Sequence, residues 1–273
     1  MKNKIFYPYA LIEFALFAVY TVFAMMESAP FSPNYLLLAS LALNIIFMVF
    51  SNVEKTLDRA FGIAISSLFF LSALFTFIYT FNLEFIALSY FSAIYTYLAF
   101  ILLLIYLNLK VKTNVLIEVL FIVVFGGVLV GLTYIFKTDS IKSDLLTSFA
   151  WSYALIFGIM IYLIFLSIKG YKNTPINKRP NFFFLGVSIA FMLVIYIAMI
   201  ARPLLNSEST VISLLSFFQT AFLIPSYILL TISFMLFEPR EAWPSDFYSY
   251  QLFLLLMEEL ASSLYALKLA LLG

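Results

Sequence analysis

Residues 182–201 read FFFLGVSIAFMLVIYIAMIA, a stretch of 20 positions without a charged side chain. As a helix this stretch is about 30 Å long, which matches the hydrocarbon core of a bilayer. A chain in lipid must satisfy its own backbone N–H and C=O groups, and a helix does so within a single segment. The stretch is therefore predicted to be a transmembrane helix.

The same pattern recurs along nearly the whole chain. Seven further apolar segments, separated by short polar connectors, cover residues 6–26, 32–50, 60–81, 85–107, 115–136, 145–168 and 211–237. Only 11% of the residues are charged, where a soluble chain has about 25%. The predicted fold class is all-α: a polytopic integral membrane helix bundle with about eight transmembrane helices, occupying residues 1–240.

The 15 Lys and Arg residues are divided unequally between alternate connectors. One side of the membrane receives Lys2, Lys4, Lys55, Arg59, Lys110, Lys112, Lys169, Lys172, Lys178, Arg179, Arg240 and Lys268. The other side receives Lys137, Lys142 and Arg202. Basic residues stay in the cytoplasm during insertion, so we predict a cell-membrane protein with both termini in the cytoplasm.

Residues 241–273 are predicted to form a separate C-terminal cytoplasmic amphipathic helix. Apolar residues recur there at alternating spacings of four and three, as in a coiled-coil seam. They are Phe253, Met257, Leu260, Leu264, Leu267 and Leu271. The helix would lie in the membrane interface, pair with a second copy as a homodimer or signalling stalk, or form a ninth span. Glu258 and Glu259 argue against the ninth span, because a carboxylate at the bilayer centre costs about 2.5–3.5 kcal/mol.

The residue types that are missing exclude several functions. The chain has no cysteine and no histidine, which excludes thiolate or imidazole metal sites, histidine-ligated haem and Ser-His-Asp triads. No Lys or Asp lies within a predicted span, so a retinal Schiff base and a paired-Asp intramembrane protease are also excluded. The net charge of +1 provides no basic field for nucleic acid. We therefore predict a protein that is not an enzyme and that uses no cofactor or metal.

Three polar residues stand out within the predicted spans. Glu13 lies near the centre of the first span, and an intramembrane carboxyl group marks a functional site by default. It is interpreted either as a proton-coupling residue or as a hydrogen-bonded structural residue. Asn44, near the centre of the second span, favours an interhelical hydrogen bond. Glu118, in the first turn of the fifth span, favours the positive end of the helix dipole.

Hydroxyl and amide side chains form stripes on three predicted spans, because residues three or four apart share a helix face. They are Ser72, Thr76 and Thr80; Ser89, Ser92 and Thr96; and Ser213, Ser216 and Gln219, with Thr220 beside them. The predicted topology puts these stripes in the external half of the membrane, near Arg202. We interpret them either as an external site for a small amphipathic or lipidic ligand, with Arg202 available for an anionic group, or as hydrogen bonds that join helices.

Small residues and one proline predict how the helices pack and bend. Gly127 with Gly131, and Ala154 with Gly158, have the four-residue spacing of close helix contacts, and Gly126 lies beside the first pair. Pro225 lies near the centre of the eighth span, where it is predicted to kink the helix and to act as a hinge.

These features together predict a receptor- or sensor-type membrane module. A ligand bound in the external half would shift the span that contains Pro225 and so move the C-terminal helix. Two alternatives stay open: a small-molecule transporter, proton-coupled through Glu13, and a structural subunit of a membrane complex. Membrane lipids are expected partners in every case.

Overall fold

The computed structural model describes residues 6–26, 32–50, 57–81, 86–111, 115–135, 143–176, 179–201 and 210–236. Within these ranges there are eight helices and no strand. The helices are α1 (Phe6–Met25), α2 (Asn34–Phe50), α3 (Leu57–Phe81), α4 (Ile86–Val111), α5 (Val115–Ile135), α6 (Ser143–Asn173), α7 (Arg179–Ala201) and α8 (Thr210–Leu236). The all-helical fold class is confirmed. The predicted C-terminal helix lies outside the described residues.

Five helices are apolar and long enough to cross a membrane. Their apolar parts are Leu57–Phe81, Tyr90–Val111, Ala154–Asn173, Arg179–Ala201 and Leu214–Met235. The apolar stretches described in α1, α2 and α5 are shorter: Pro8–Ala24, Asn34–Phe50 and Leu116–Val128. The structure thus shows a helical protein with five candidate spans, and the number eight stays a prediction.

Helix α6 continues five residues beyond the predicted end of its span at residue 168. Lys169 and Lys172 therefore lie on the last turns of a helix and not in a connector. Long basic side chains at a helix end keep their stems on apolar surface while the ammonium group reaches water. Pro175 is the first residue that opposes helix continuation here, which explains the later end.

Consecutive helices run antiparallel. In the α3–α4 pair, Asp58 at the start of α3 meets Lys110 at the end of α4, with 2.5 Å between Oδ1 and Nζ. Farther along the same pair, the side-chain oxygens of Ser72 and Thr96 are 2.7 Å apart. In the α1–α2, α5–α6, α6–α7 and α7–α8 pairs too, residue numbers that rise along one helix meet residue numbers that fall along the other. The bundle is therefore an up-and-down arrangement with two distinct ends.

The two ends of the bundle differ in chemistry. All the Lys and Arg residues within the described ranges lie where α3 and α7 begin and where α4 and α6 end: Arg59, Lys110, Lys169, Lys172 and Arg179. We call this the basic end. The opposite end, which we call the hydroxyl end, carries Thr76, Thr80, Ser92 and Ser216.

Helix α8 is the most central helix, since it packs against α1, α2, α3 and α7. Its half toward the basic end is buried, and Leu230 and Phe234 are 1% and 2% exposed. Helix α5 lies at the periphery, where it packs mainly on α6. Leu116 and Val123 of α5 are among its exposed apolar side chains, as expected for a face in contact with lipid.

Close packing of α5 on α6 depends on small residues. A Cβ on Gly126 would lie 2.9 Å from the Ala154 carbonyl oxygen, and one on Gly158 would overlap the Ile122 carbonyl. The predicted contact through Ala154 and Gly158 is confirmed. For Gly127 the prediction of close packing is wrong within the described structure, because no described atom lies within 4 Å of a Cβ built there. One residue turns a helix by about 100°, which places Gly126 toward α6 instead.

Candidate functional site

One face of α8 is directed at α3 and α4. The ring contacts come from Tyr227 and Phe234, and the alternating spacing of four and three extends this face through Leu230, Leu223, Thr220 and Ser216. The Phe234 ring lies 5.0 Å from that of Tyr106 in α4, and the Tyr227 ring lies 5.3 Å from that of Phe69 in α3. These contacts identify the face, and its continuation toward the hydroxyl end carries Ser216 and Thr220.

The facing sides of α3 and α4 change in the same way along their length. On α3 the face runs from Gly62 through Phe69 to Thr76, in steps of seven residues. On α4 it runs from Tyr106 through Phe100 to the hydroxyls of Thr96 and Ser92. The rings of Phe69 and Phe100 meet edge to face at 5.4 Å. All three faces are therefore apolar toward the basic end and hydroxyl-bearing toward the hydroxyl end.

Burial decreases along these faces toward the hydroxyl end. Phe69, Phe100 and Phe234 are buried. The hydroxyl-bearing part is half-buried or exposed, and we call it the hydroxyl surface: Thr76, Ser92, Thr96, Ser216 and Thr220. The same gradient on three helices makes this surface the candidate site.

Hydroxyls of α3 and α4 bond to one another at the hydroxyl surface. The Ser72 Oγ lies 2.7 Å from the Thr96 Oγ1 and 3.0 Å from the Ser92 Oγ, and the Ser92 Oγ lies 2.7 Å from the Thr76 Oγ1. Thr76 and Thr96 are also within reach of the Ser72 and Ser92 carbonyls, at 3.0 and 3.1 Å. A hydroxyl has one proton and two lone pairs, so this cluster keeps unused acceptors. The hydrogen bonds predicted to join helices are present, and the ligand role stays a prediction.

The remaining predicted ligand residues are less clearly grouped. Thr80 is exposed and donates to the Phe77 carbonyl at 2.6 Å. Gln219 is half-buried, one residue before Thr220 on α8. Ser89 lies on α4, but its side chain is outside the described residues, as is all of Arg202.

Three aromatic residues that the sequence did not single out flank the hydroxyl surface. The rings of Phe75 and Tyr95 stack at 5.5 Å, and Phe75 lies 5.7 Å from Phe91. Thr220, which donates to the Ser216 carbonyl at 2.9 Å, completes the α8 part. The sequence had already placed Thr220 beside the stripe of the eighth span, four residues after Ser216.

Glu13 takes part in a polar seam between α1 and α2, which we call the α1–α2 seam: Tyr9, Glu13, Ser40 and Asn44. Glu13 is 0% exposed. Ser40 Oγ donates to Glu13 Oε2 at 2.7 Å, while Oε1 has no hydrogen-bond partner among the described residues. Tyr9 Oη donates to Asn44 Oδ1 at 2.6 Å, and Asn44 Nδ2 donates to the Ser40 carbonyl at 3.0 Å. The interhelical hydrogen bond predicted for Asn44 is confirmed.

The basic end contains the other acidic side chains that the structure describes. Asp58 is paired with Lys110 and lies beside the Tyr106 hydroxyl. Glu118, in the first turn of α5 as predicted, accepts a hydrogen bond from Asn108 Nδ2 at 2.7 Å. The sequence signal for the Asp58–Lys110 pair was the short connector between the third and fourth apolar segments, since antiparallel neighbours bring their far ends together.

Pro225 lies inside α8 and is braced by α7. A proline has no N–H, so the Ala221 carbonyl loses its helical partner. One residue later, Ser226 Oγ donates to the Leu223 carbonyl, and Ser188 Oγ of α7 donates to the Ser226 carbonyl, both at 2.7 Å. The turn after Pro225 is thus held by a neighbouring helix, and the predicted kink and hinge at Pro225 stay predictions.

Known proteins do not identify this chain. No family model matches it, and neither a curated protein nor a solved structure matches it. Its function therefore has to be inferred from the hydroxyl surface, the α1–α2 seam and the basic end.

Proposed function

We propose that the chain is an eight-span, non-enzymatic membrane protein of the receptor or sensor type. It binds a small amphipathic molecule at the hydroxyl surface. The observation that carries this proposal is the loss of burial along the facing sides of α3, α4 and α8. All described Lys and Arg residues lie at the basic end, which supports a cytoplasmic position for that end. The hydroxyl surface then opens to the external side.

Two features of the hydroxyl surface define the chemistry of the ligand. Its hydroxyl oxygens have spare acceptor lone pairs, so a bound molecule has to supply hydrogen-bond donors. The rings of Phe75, Phe91 and Tyr95 beside it favour an apolar body. Hydrocarbon does not satisfy hydroxyl groups, so this surface favours contact with water or with such a molecule over lipid tails.

Helix α8 provides a route from the hydroxyl surface to the cytoplasmic side. Its face ends at Phe234, which touches Gly62 of α3 and Tyr106 of α4. A ligand that draws Ser216 toward α3 would therefore tilt α8 about this contact, with Pro225 between the two points. The predicted C-terminal helix follows α8 directly in sequence and would receive the movement.

Thiol labelling tests the hydroxyl surface, because the chain has no cysteine of its own. Thr76→Cys and Ser216→Cys are expected to react with a membrane-impermeant thiol reagent added outside intact cells. Ile94→Cys is the matched control, since Ile94 lies two residues from Ser92 and is an exposed apolar side chain. Protection of Thr76→Cys by small amphipathic amines and alcohols would then identify the ligand. An unreactive Thr76→Cys, or equal labelling of Ile94→Cys, would contradict the proposal.

Transport is the second candidate function. The Asp58–Lys110 ion pair joins α3 and α4 at the basic end, whereas the hydroxyl end is less buried. Access from one side only is one state of an alternating-access transporter. Uptake into proteoliposomes of the molecule that protects Thr76→Cys separates the two functions. A transporter accumulates it, and a sensor binds it without flux.

A further inference from the structure

We propose that Glu13 is a proton-binding site within the α1–α2 seam. The inference is independent of ligand binding at the hydroxyl surface, because it depends on a different pair of helices. Glu13 is fully buried in α1 and receives one hydrogen bond, from Ser40 Oγ to Oε2. Its Oε1 has no hydrogen-bond partner among the described residues. An ionised carboxylate needs donors at both oxygens, and here one oxygen lacks a donor.

Among the described residues, no charged group near Glu13 compensates an ionised carboxylate. Helix α1 packs against α2 and α8, and it shares an apolar cluster with α7. Neither α2 nor α8 contains Asp, Glu, Lys or Arg. The one charged residue of α7 is Arg179, at the basic end, where it donates to the Thr174 carbonyl. The other ionisable side chains described on these four helices are Tyr9, Tyr20, Tyr35, Tyr196 and Tyr227.

The neutral carboxylic acid fits this environment better than the carboxylate does. A buried charge without a partner is costly, and removing the charge removes most of that cost. A proton from water forms an O–H bond at Oε1, and the charge of the group changes from −1 to 0. Release returns the proton to water and restores the charge. The Ser40 hydroxyl acts as a positioning group, because its donation to Oε2 leaves Oε1 as the oxygen that receives the proton.

A metal ion does not fit the α1–α2 seam as well as a proton does. Hard cations are bound by about six oxygens. The Asn44 Oδ1 already accepts the Tyr9 hydroxyl, and the Ser40 carbonyl already accepts the Asn44 amide. Apart from Glu13 Oε1, these oxygens already take part in hydrogen bonds of the α1–α2 seam, and a sodium ion that used them would compete with those hydrogen bonds. The geometry favours the proton.

Carbodiimide labelling tests the proposal on the full chain in membranes. Dicyclohexylcarbodiimide enters lipid and modifies protonated carboxyl groups, and mass spectrometry locates the modified residue. We expect modification of Glu13 that falls as pH is raised and that sodium ions do not prevent. Glu118 is the internal control, because Asn108 donates to it near the basic end and its labelling is expected to be far weaker. Protection of Glu13 by sodium would overturn the proposal in favour of a sodium site.

Infrared difference spectroscopy gives a second readout that needs no reagent access. A carboxylic acid C=O band is expected in the unmodified chain and is expected to disappear in Glu13→Gln. Ser40→Ala should move the pH at which the band is lost, whereas Ser188→Ala, which removes a hydroxyl on α7, should leave it unchanged. Absence of the band at every pH would overturn the proposal. Thiol labelling at Thr76→Cys is expected to be the same in Glu13→Gln. Failure of the proton-binding proposal can therefore be distinguished from failure of ligand binding at the hydroxyl surface.

Discussion

Gly62 and Gly127 show how much the surroundings of a single residue matter. Both lie within helices, but a Cβ on Gly62 would lie 2.9 Å from the Phe234 Cβ and 3.0 Å from the Met48 Sδ. A Cβ on Gly127 would meet none of the described atoms within 4 Å. Gly62 therefore allows α2, α3 and α8 to meet at the basic end. The exposed Gly127 has no such role in the described structure.

These two glycines make a matched pair for mutation. Gly62→Ala is expected to lower the free energy of unfolding by about 1–3 kcal/mol, because the added methyl group overpacks the contact with Phe234. Gly127→Ala is expected to be neutral or to stabilise by up to about 1 kcal/mol, since alanine favours a helix over glycine. Denaturation of the purified protein in detergent measures both. Equal effects of the two substitutions would contradict the contact.

The Asp58–Lys110 pair predicts an asymmetry between its partners. The Asp58 side chain is 7% exposed and that of Lys110 is 31% exposed. Lys110→Met leaves a buried carboxylate without its cation, with an expected loss of about 1–3 kcal/mol. Asp58→Asn leaves a lysine that reaches water, so the loss should be smaller. The same denaturation assay compares them, and a larger loss in Asp58→Asn would show that the pair is not arranged in this way.

At the scale of helices, α1 and α2 are joined by two hydrogen bonds that are one turn apart. Tyr9 donates to Asn44, and Ser40 donates to Glu13 four residues farther along α1. Few other polar groups are available on these apolar helices. The pairing of α1 with α2 therefore depends on the hydrogen bonds of the α1–α2 seam as well as on the packing of apolar side chains.

A double-mutant cycle on Tyr9 and Asn44 tests this pairing. Tyr9→Phe removes the donor and Asn44→Ala removes the acceptor, so the double variant should lose less than the sum of the two single losses. The expected coupling is about 0.6 kcal/mol and at most about 1.7 kcal/mol, the range of hydrogen bonds between membrane helices. Additive losses would mean that the hydrogen bond contributes nothing to stability.

At the scale of the whole molecule, α8 connects the parts of the bundle. It touches α1, α2, α3 and α7, and it carries both Phe234 at the basic end and Ser216 at the hydroxyl end. Pro225 lies between these residues and is braced by Ser188 of α7. The freedom of the hydroxyl end of α8 therefore depends on the proline and on its brace.

Replacing Pro225 and removing the hydrogen bond from Ser188 to the Ser226 carbonyl across the α7–α8 contact are expected to have opposite effects on the mobility of the hydroxyl end of α8. Spin labels at Phe81→Cys and Leu214→Cys report the distance between the hydroxyl ends of α3 and α8. Pro225→Ala restores the backbone hydrogen bond to Ala221, so the distance distribution should become narrower. Ser188→Ala removes the brace but keeps the proline, so the distribution should become broader. If both variants match the parent distribution, Pro225 is not a hinge.

The sequence by itself determined that the chain is a set of apolar helices with basic residues concentrated at one end. Lipid leaves the backbone no alternative to the helix. In a bundle of consecutive antiparallel helices, every second connector lies at the same end. It also predicted the close contact through Gly158 and the hydrogen bond of Asn44. Only the tertiary structure decided that Gly126 and not Gly127 faces α6, and that Ser40 bonds to Glu13. A helix that is apolar all round has little amphipathic signal to define its rotation about its own axis, so the facing side chains are chosen by packing.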